Sequence, residues 1–427
     1  MEAAVLFLLL LTMAAIGLTS AIFTRDRLHP APMHAAVWTL VCATYLLFPH
    51  RLRPLSPEVF MLIVLAIASF SLAAVIRPAD PPNGALRSPR RYRVTIWREV
   101  LFTVALLGFV PFLLKAQALA QSAPYTESDF INLRIALTGA LDDAQTFGLL
   151  GYLIPVSFAS TFVELASSKK RLFGWRGWIS LLLSVVYALM STGRTYFFLL
   201  VTALAFIALL QHRARLAQIA SAALLLFSLA FFGLGMLANK IGADTPNIDA
   251  LSAVDALMLY LLGGIAAFDL TLGAPPALEW GLNAMRTPLA VLQALGADVT
   301  VVPLVKEYVN VPLPTNVYSA LQPYHADFGW LGIVGFYALC GLLHGRLYRA
   351  AQRPEADPRV IIYASMAMYP LLLQFFQDQY LSLLSTWVTF VLLIAPAFRA
   401  NESTAPQPST LQADRTNRPG VLGPDPC

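Results

Sequence analysis

Charge is the scarcest feature of this sequence. Of its 427 residues only 12% are Asp, Glu, Lys or Arg, while 58% are hydrophobic and the mean hydropathy is +0.66. Soluble domains carry about a quarter charged residues. So few charges do not keep this much apolar surface in water, which excludes a large water-soluble domain. Cysteine is also nearly missing: Cys42 and Cys340 lie in apolar runs and Cys427 ends the chain. No pair has the spacing of a disulfide framework, a zinc site or a redox motif, and Cys427 is not in a prenylation box. The GxxxxGK, HExxH, CxxC and GxSxG signatures do not occur, so ATP hydrolysis, zinc proteolysis and a nucleophile elbow have no support. Lysine is rare as well. It occurs only at 115, 169, 170, 240 and 306, which leaves 24 of the 29 cations as arginine. A net charge of +5 ordinarily raises nucleic acid as a partner, but these cations sit in short loops between apolar segments. The positive-inside rule accounts for that placement, and no nucleic-acid partner is expected.

What the sequence has in abundance is apolar runs near the ~20 residues that cross a bilayer as a helix. Spans are predicted at roughly 3–22, 34–49, 58–76, 97–116, 147–166, 176–192, 195–210, 216–238, 328–345, 359–376 and 379–397. The predicted fold is therefore an all-α, polytopic transmembrane bundle of about eleven helices. The first span lacks a basic leader and is followed by Arg25 and Arg27. That order predicts an uncleaved helix with the N-terminus outside. The basic loops Arg25–Arg27, Arg87–Arg93, Lys169–Arg176, His212–Arg215 and Arg346–Arg359 then share one side, the cytoplasmic one. The loop holding His50, Arg51 and Arg53 falls on the other side and questions one of the first three spans.

The connection 239–326 holds three cations, Lys240, Arg286 and Lys306, against seven anions. Its poverty in arginine predicts an external loop, and its length predicts a functional one containing short helices. Residues 252–272 within it read as a surface-lying or re-entrant helix. A shorter external stretch is expected at 117–146. The domain reading is a membrane unit over 1–397 and a disordered cytoplasmic tail over 398–427, rich in Pro, Ser, Thr and Asn.

Candidate functional residues gather on the external side. Arg194 lies in Ser191-Thr192-Gly193-Arg194-Thr195-Tyr196, a tight turn where the positive-inside trend disfavours arginine. It either snorkels at the membrane edge or holds an anion. Arg286 is the sole arginine between Arg215 and Arg346; it pairs with a nearby acid or grips an anionic ligand. Arg134 is a third cation of this kind. Asn316, Tyr318 and Tyr324 lead into His325-Ala326-Asp327-Phe328-Gly329-Trp330, where the chain re-enters the membrane. The aromatics suit an interfacial belt. His325 and Asp327 are otherwise a titratable pair fit for acid–base work. Asp142-Asp143 reads as a helix cap before a metal site, and Gly341 and Gly345 as a helix-packing face. No metal or other cofactor is expected. Arginines, a His/Asp pair and aromatics together suit a phosphorylated lipid that carries sugars.

Four segments add a resemblance. They are His29-Pro30 with Trp38 and Leu55-Ser56-Pro57-Glu58; Thr192-Gly193-Arg194-Thr195; Tyr260-Leu261-Leu262-Gly263-Gly264-Ile265 through Phe268-Asp269; and Asn316 to Trp330. In this order they resemble the oligosaccharide repeat-unit polymerases, the Wzy-type O-antigen polymerases of bacterial envelopes, over most of the chain up to about residue 397. His325 departs from the family, which often has an aromatic residue there. The resemblance implies a metal-independent glycosyltransferase of the bacterial inner membrane. It would join undecaprenyl-pyrophosphate-linked repeat units into O-antigen, capsule or exopolysaccharide at the periplasmic face. Arg194, Arg286, His325 and Asp327 would be catalytic, and Arg134, Asn316, Tyr318 and Tyr324 would bind substrate. Membrane lipid and a chain-length regulator protein would be partners. An O-antigen ligase of the same architecture, a flippase or transporter of lipid-linked glycans, and a non-catalytic scaffold remain open at this point.

Overall fold

The computed structural model describes residues 2–76, 92–138, 145–168, 174–211, 218, 253–273, 278–303, 306–311 and 314–400. The chain is an all-α polytopic membrane protein. Among the described residues, five helices are long and apolar enough to cross a bilayer: Ala3–Thr24, Pro57–Val75, Trp97–Ser122, Gly148–Ser167 and Gln322–Ala351. Shorter apolar helices accompany them. In chain order we label α1 (Glu2–Thr24), α2 (Pro30–Leu47), α3 (Pro57–Val75), α4 (Trp97–Leu107), α5 (Phe109–Ser122), α6 (Asp129–Thr138), α7 (Leu153–Ser167), α8 (Trp175–Met190), α9 (Arg194–Leu210), α10 (Ala253–Leu272), α11 (Arg286–Ala294), α12 (Gln322–Ala351), α13 (Pro358–Leu373) and α14 (Leu384–Ile394). The predicted span 216–238 lies outside the described residues apart from 218.

A repeated local device starts three of these helices. His29, Ser56 and Asp357 each precede a proline at the first helical position and each accept a backbone N–H with the side chain. Proline costs nothing where no intrahelical bond exists, and the cap satisfies an orphan donor worth about 1 kcal/mol.

Two apolar cores hold the bundle. One joins α1, α2, α3, α10 and α12; the other joins α4, α5, α7, α8, α9, α13 and α14. The tightest seam is α12 on α3. A Cβ on Gly341 would stand 2.2 Å from the Phe70 carbonyl oxygen, and one on Gly345 would stand 2.2 Å from that of Ala74. Only hydrogen fits, so these two glycines form the expected packing face. Between α7 and α8 the contact is polar: Ser160 bonds Ser180 at 2.9 Å and Thr161 bonds Ser184 at 2.8 Å, all buried.

The two ends of the bundle differ. At the basic end Asp26 accepts from Tyr348 and Gln352, and Arg349 donates to the carbonyls of Ala74 and Ile76. There too Arg98 and Arg176 pair with Glu99, and strand β1 (Tyr92–Val94) pairs with β4 (Phe398–Ala400). The expected tail from 398 therefore begins with a paired strand; 401–427 lie outside the described residues. The opposite end gathers the long connection and is called the loop end here. The loop holding His50, Arg51 and Arg53 belongs to it, since Arg53 N–H donates to the Val311 carbonyl at 3.4 Å. Its three cations do lie on the arginine-poor side, and α1–α3 are all helical.

Three expectations need correction. Residues 253–272 form α10, whose Leu262, Ile265, Ala266, Ala267 and Phe268 are buried, so this helix does not lie on a surface. Among the described residues of that connection, α11 is a short helix. The re-entry helix begins at Gln322, six residues before the predicted 328, because Gly329 at φ 62° lets a short helical piece, 322–328, fold against the membrane helix. Finally, the span 97–116 extends to Ser122 with a break at Gly108.

The basic end carries a pH dependence. Burial, reinforced by the nearby Arg349, lowers the pKa of His29 from 6.5 to about 4. Its Nδ1 accepts from Ala31 N–H, which requires the neutral ring. An unfolded His29 takes up its proton as pH falls below 6.5, and the folded one does so only near 4. Stability conferred by this site is thus complete above 6.5 and is lost as pH falls between those values. Burial opposes the charge on Asp26. Hydrogen bonds from Tyr348, Leu28 and Gln352, with the field of His29, nevertheless hold its carboxyl below the usual value, so its loss comes at still lower pH. Thermal unfolding in detergent should show a falling midpoint from pH 7 to 4.5, with a shallower fall in His29→Asn, which keeps a capping oxygen without titrating.

Candidate functional site

At the loop end the chain before α11 makes a tight turn, with Trp280 at φ 50° and Gly281 at φ 99°. Asp327 holds it. This carboxylate is fully buried, accepting at Oδ1 from Asn283 N–H (3.1 Å) and Nδ2 (2.9 Å), and at Oδ2 from Ala284 N–H (2.7 Å). The backbone adds Glu279 N–H to the Ala326 carbonyl and Trp280 N–H to that of Asp327. Bonds to an ionised acceptor contribute about 1.5–3 kcal/mol each, which offsets the strain of a non-glycine residue at positive φ. Asp327 thereby fixes the turn from which α11 starts, at Arg286. The half-buried Arg286 donates from Nε to the Val302 carbonyl at 2.9 Å.

Lys306 approaches the same turn. Its ammonium donates to Gln322 Oε1 and, at 3.4 Å, to Asn283 Oδ1, and it lies 5.6 Å from the centre of the Tyr318 ring. Burial pushes its pKa below the usual lysine value, against the pull of Glu279, Asp327 and Asp378. Asn283 is thus a hub between an acid and a cation, since its amide also donates to Glu279 at 2.6 Å.

Asp378, between α13 and α14, is the second buried carboxylate here. It accepts from the Tyr324 hydroxyl (2.9 Å), Tyr380 N–H (3.0 Å), Ser382 N–H (2.9 Å) and Ser382 Oγ (2.8 Å). Tyr324 stacks on Phe336 at 3.5 Å, and Tyr380 continues to His344 at 3.3 Å. The 374–383 segment also touches α11, because Thr287 Oγ1 donates to the Leu381 carbonyl at 3.4 Å.

Parts of three of the four segments singled out in the sequence meet at this end, while His29 of the first of them caps α2 at the basic end. Asp269 accepts from Ser56 N–H at 3.3 Å and from the Ser56 hydroxyl, tying α10 to the cap of α3. Gly264 lies where three backbones converge. Its carbonyl accepts Ser319 N–H at 2.9 Å, and a Cβ there would be 2.5 Å from the Phe376 carbonyl oxygen.

The predicted site residues divide into groups. Arg286, Asp327 and Tyr318 join one group through Asn283, Lys306 and Gln322, and Tyr324 belongs to the neighbouring group around Asp378. Asn316 is half-buried between strand β3 (Pro314–Thr315) and Tyr318, whose hydroxyl donates to the Glu307 carbonyl. His325 is not paired with Asp327; it packs edge-on against Phe268 at 5.5 Å, on the side facing Glu58. Successive helical positions two apart point to opposite sides, so adjacency in sequence does not make a dyad. Arg194 opens α9, its backbone in a hairpin closed by Thr192 at φ 51°; its side chain lies outside the described residues, as does Asp142-Asp143. Arg134 is half-buried on α6.

Two cavities flank α14. A slot of about 330 Å³ runs between α12, α13 and α14, lined by Phe336, Leu343, Met366, Trp387 and Phe390 among others, and is apolar. A cleft of about 420 Å³ opens at the loop end between the start of α7, the α8–α9 hairpin and the other side of α14; its wall is mixed, with Leu137, Phe147, Ile154 and Pro155 beside hydroxyl and amide side chains.

Lys306, Asp378, Asn283 and Gln322 were missed from the sequence. Asp378 had a signal: it is the sole acid between Asp357 and Glu402, in Gln377-Asp378-Gln379 between apolar runs. Lys306 was one of five lysines in the whole chain.

The chain is similar to an O-antigen polymerase. That protein, from Shigella dysenteriae, is 26% identical over 260 residues, which cover 60% of this chain. The chain matches 63% of the length of that polymerase. The resemblance drawn from the sequence motifs to the Wzy-type polymerases is thereby supported. No protein-family profile matches the chain. No solved structure matches it.

Proposed function

We propose that this protein is a polysaccharide polymerase of the glycosyltransferase type. It joins undecaprenyl-pyrophosphate-linked repeat units at the periplasmic face of the bacterial inner membrane. The observation that carries the reading is the similarity to an O-antigen polymerase, in a helical membrane protein that brings Ser56 to Asp269 and Gly264 to Ser319 at one end. In the reaction a hydroxyl oxygen of the acceptor unit attacks the anomeric carbon of the donor glycan. The bond from that carbon to the lipid diphosphate oxygen breaks, and the hydroxyl proton passes to a base. Negative charge grows on the departing diphosphate, and fixed cations stabilise it best when they need not reorganise. Arg286 is held at Nε, which aims its terminal amino groups, and Arg194 and Arg134 add charge at the same end. Lys306 lies within reach of the Arg286 turn. His325 is the proton acceptor. Asp327 is already engaged by three donors and positions the loop. Asn316 and Tyr318 contact the donor sugar, while Tyr324 supports the same end through Asp378. The N-terminus is periplasmic, the C-terminus cytoplasmic, and a chain-length regulator protein sets product size.

The reading is tested in a strain deleted for its own polymerase. Supplying this chain together with the matching repeat-unit genes should restore a ladder of surface polysaccharide. A single repeat on the lipid core, with no ladder, would refute it. Restored transfer of preformed chains to the core would indicate a ligase instead.

A further inference from the structure

The cleft beside α14 differs from the Arg286 network in one respect: among the described residues, none that lines it carries a charge. Its walls offer Gln145, Tyr152, Tyr196, Ser385, Thr386 and Thr389. Tyr152 is 59% exposed at the rim. Among the described residues, the hydroxyls of Tyr152, Ser385 and Thr386 have no protein partner. Gln145 is oriented by its backbone, whose N–H donates to the Ala136 carbonyl at 2.8 Å, and its Oε1 accepts from Ser122 at 3.1 Å. A Cβ on Gly193 would press on the Tyr196 ring at 3.1 Å, so the hairpin glycine lets this ring lie against the turn.

Helix α14 sorts the chemistry. Leu384, Trp387, Phe390 and Val391 face the apolar slot, while Ser385, Thr386 and Thr389 face the cleft. The i, i+3, i+4 spacing puts each set on its own side. Phosphate needs cations, and the described lining of the cleft offers none; its apolar part, Leu137, Phe147, Ile154 and Pro155, is broken by hydroxyl and amide groups, as a sugar with its apolar ring faces and polar rim requires. Hydroxyl and amide groups around an exposed aromatic ring suit a neutral, hydroxyl-rich ligand. A ligand cleft typically measures about 300–1,000 Å³, and this one falls in that range.

We propose that the cleft is the binding site for the sugar portion of the acceptor, a neutral oligosaccharide whose ring stacks on Tyr152 and whose hydroxyls bond Thr386, Ser385 and Gln145. This rests on the polymerase reading above and adds to it a place for the sugar apart from the diphosphate.

The test uses the full-length protein in lipid nanodiscs. Its probe is the repeat-unit oligosaccharide, free of lipid and phosphate, released by mild acid from the surface polysaccharide of the strain that carries this chain. Equilibrium dialysis should show saturable binding that excess inorganic pyrophosphate does not displace. Tyr152→Ala and Thr386→Val should each weaken binding tenfold or more, with Val391→Ala, on the apolar side of α14, binding as wild type. Absence of wild-type binding overturns the proposal, as does equal binding by the two cleft variants at unchanged melting temperature. Competition by pyrophosphate would do so as well. The polymerase reading is judged separately, by the ladder in cells: a protein that makes the ladder without binding this probe sinks the cleft alone, and one that binds it but makes no ladder sinks the polymerase.

Discussion

Replacing Arg286 with alanine should abolish long-chain polysaccharide while the protein still inserts and folds. Removing one preorganised group that stabilises developing charge typically costs about 10²–10³ in rate. With purified protein and lipid-linked substrate, the loss should fall on kcat rather than on KM, since the diphosphate gains its charge as the bond breaks. Arg286→Lys should recover only part of the activity, because a lysine is a point charge without the bidentate fork. The side chain also bonds the Val302 carbonyl, so a structural role must be separated. An unchanged melting temperature with a kcat loss assigns the effect to chemistry. A wild-type ladder from Arg286→Ala would remove this residue from the mechanism.

Asp378→Ala should have the largest effect on stability. The carboxylate satisfies four donors on the 380–382 turn and Tyr324. Each buried donor left unpaired costs about 1–3 kcal/mol, and together these approach the whole margin of a folded domain. The expected result is a collapse in folded yield, read by size-exclusion profile and thermal melting. Tyr324→Phe removes one donor and leaves the acceptor satisfied by the rest, so it should cost only about 1 kcal/mol. Near-wild-type folding by Asp378→Ala would mean that the turn does not depend on its carboxylate.

Much of the fold was legible because the bilayer imposes a simple rule: every span must be apolar for about twenty residues and satisfy its own backbone. The ends of α3 and α13 were legible for the same local reason, a cap followed by proline. The glycines of α12 were legible because small residues four apart face one side. What the sequence hid was anything decided by contacts far along the chain. Burial of α10 depends on Asp269 reaching Ser56, 213 residues away. His325 and Asp327 look like a pair in sequence, yet the helix turns them apart, and Asp327 spends its charge on a turn 44 residues earlier. Asp378 was lost inside a short connection between two apolar runs, where polarity is what any hairpin requires. Four degenerate segments carried the family resemblance; their meaning became physical only where Gly264, Ser319 and Phe376 crowd one another.

On the proposed function, lipid-linked units alone supply donor and acceptor, and the loop end holds the diphosphate. The most direct measurement is reconstitution: the purified protein in nanodiscs, given only undecaprenyl-pyrophosphate-linked repeat units. Polymer should form with one lipid diphosphate released per new linkage, at a rate cut by two orders of magnitude or more in Arg286→Ala. Folded protein that leaves these units unjoined would contradict it.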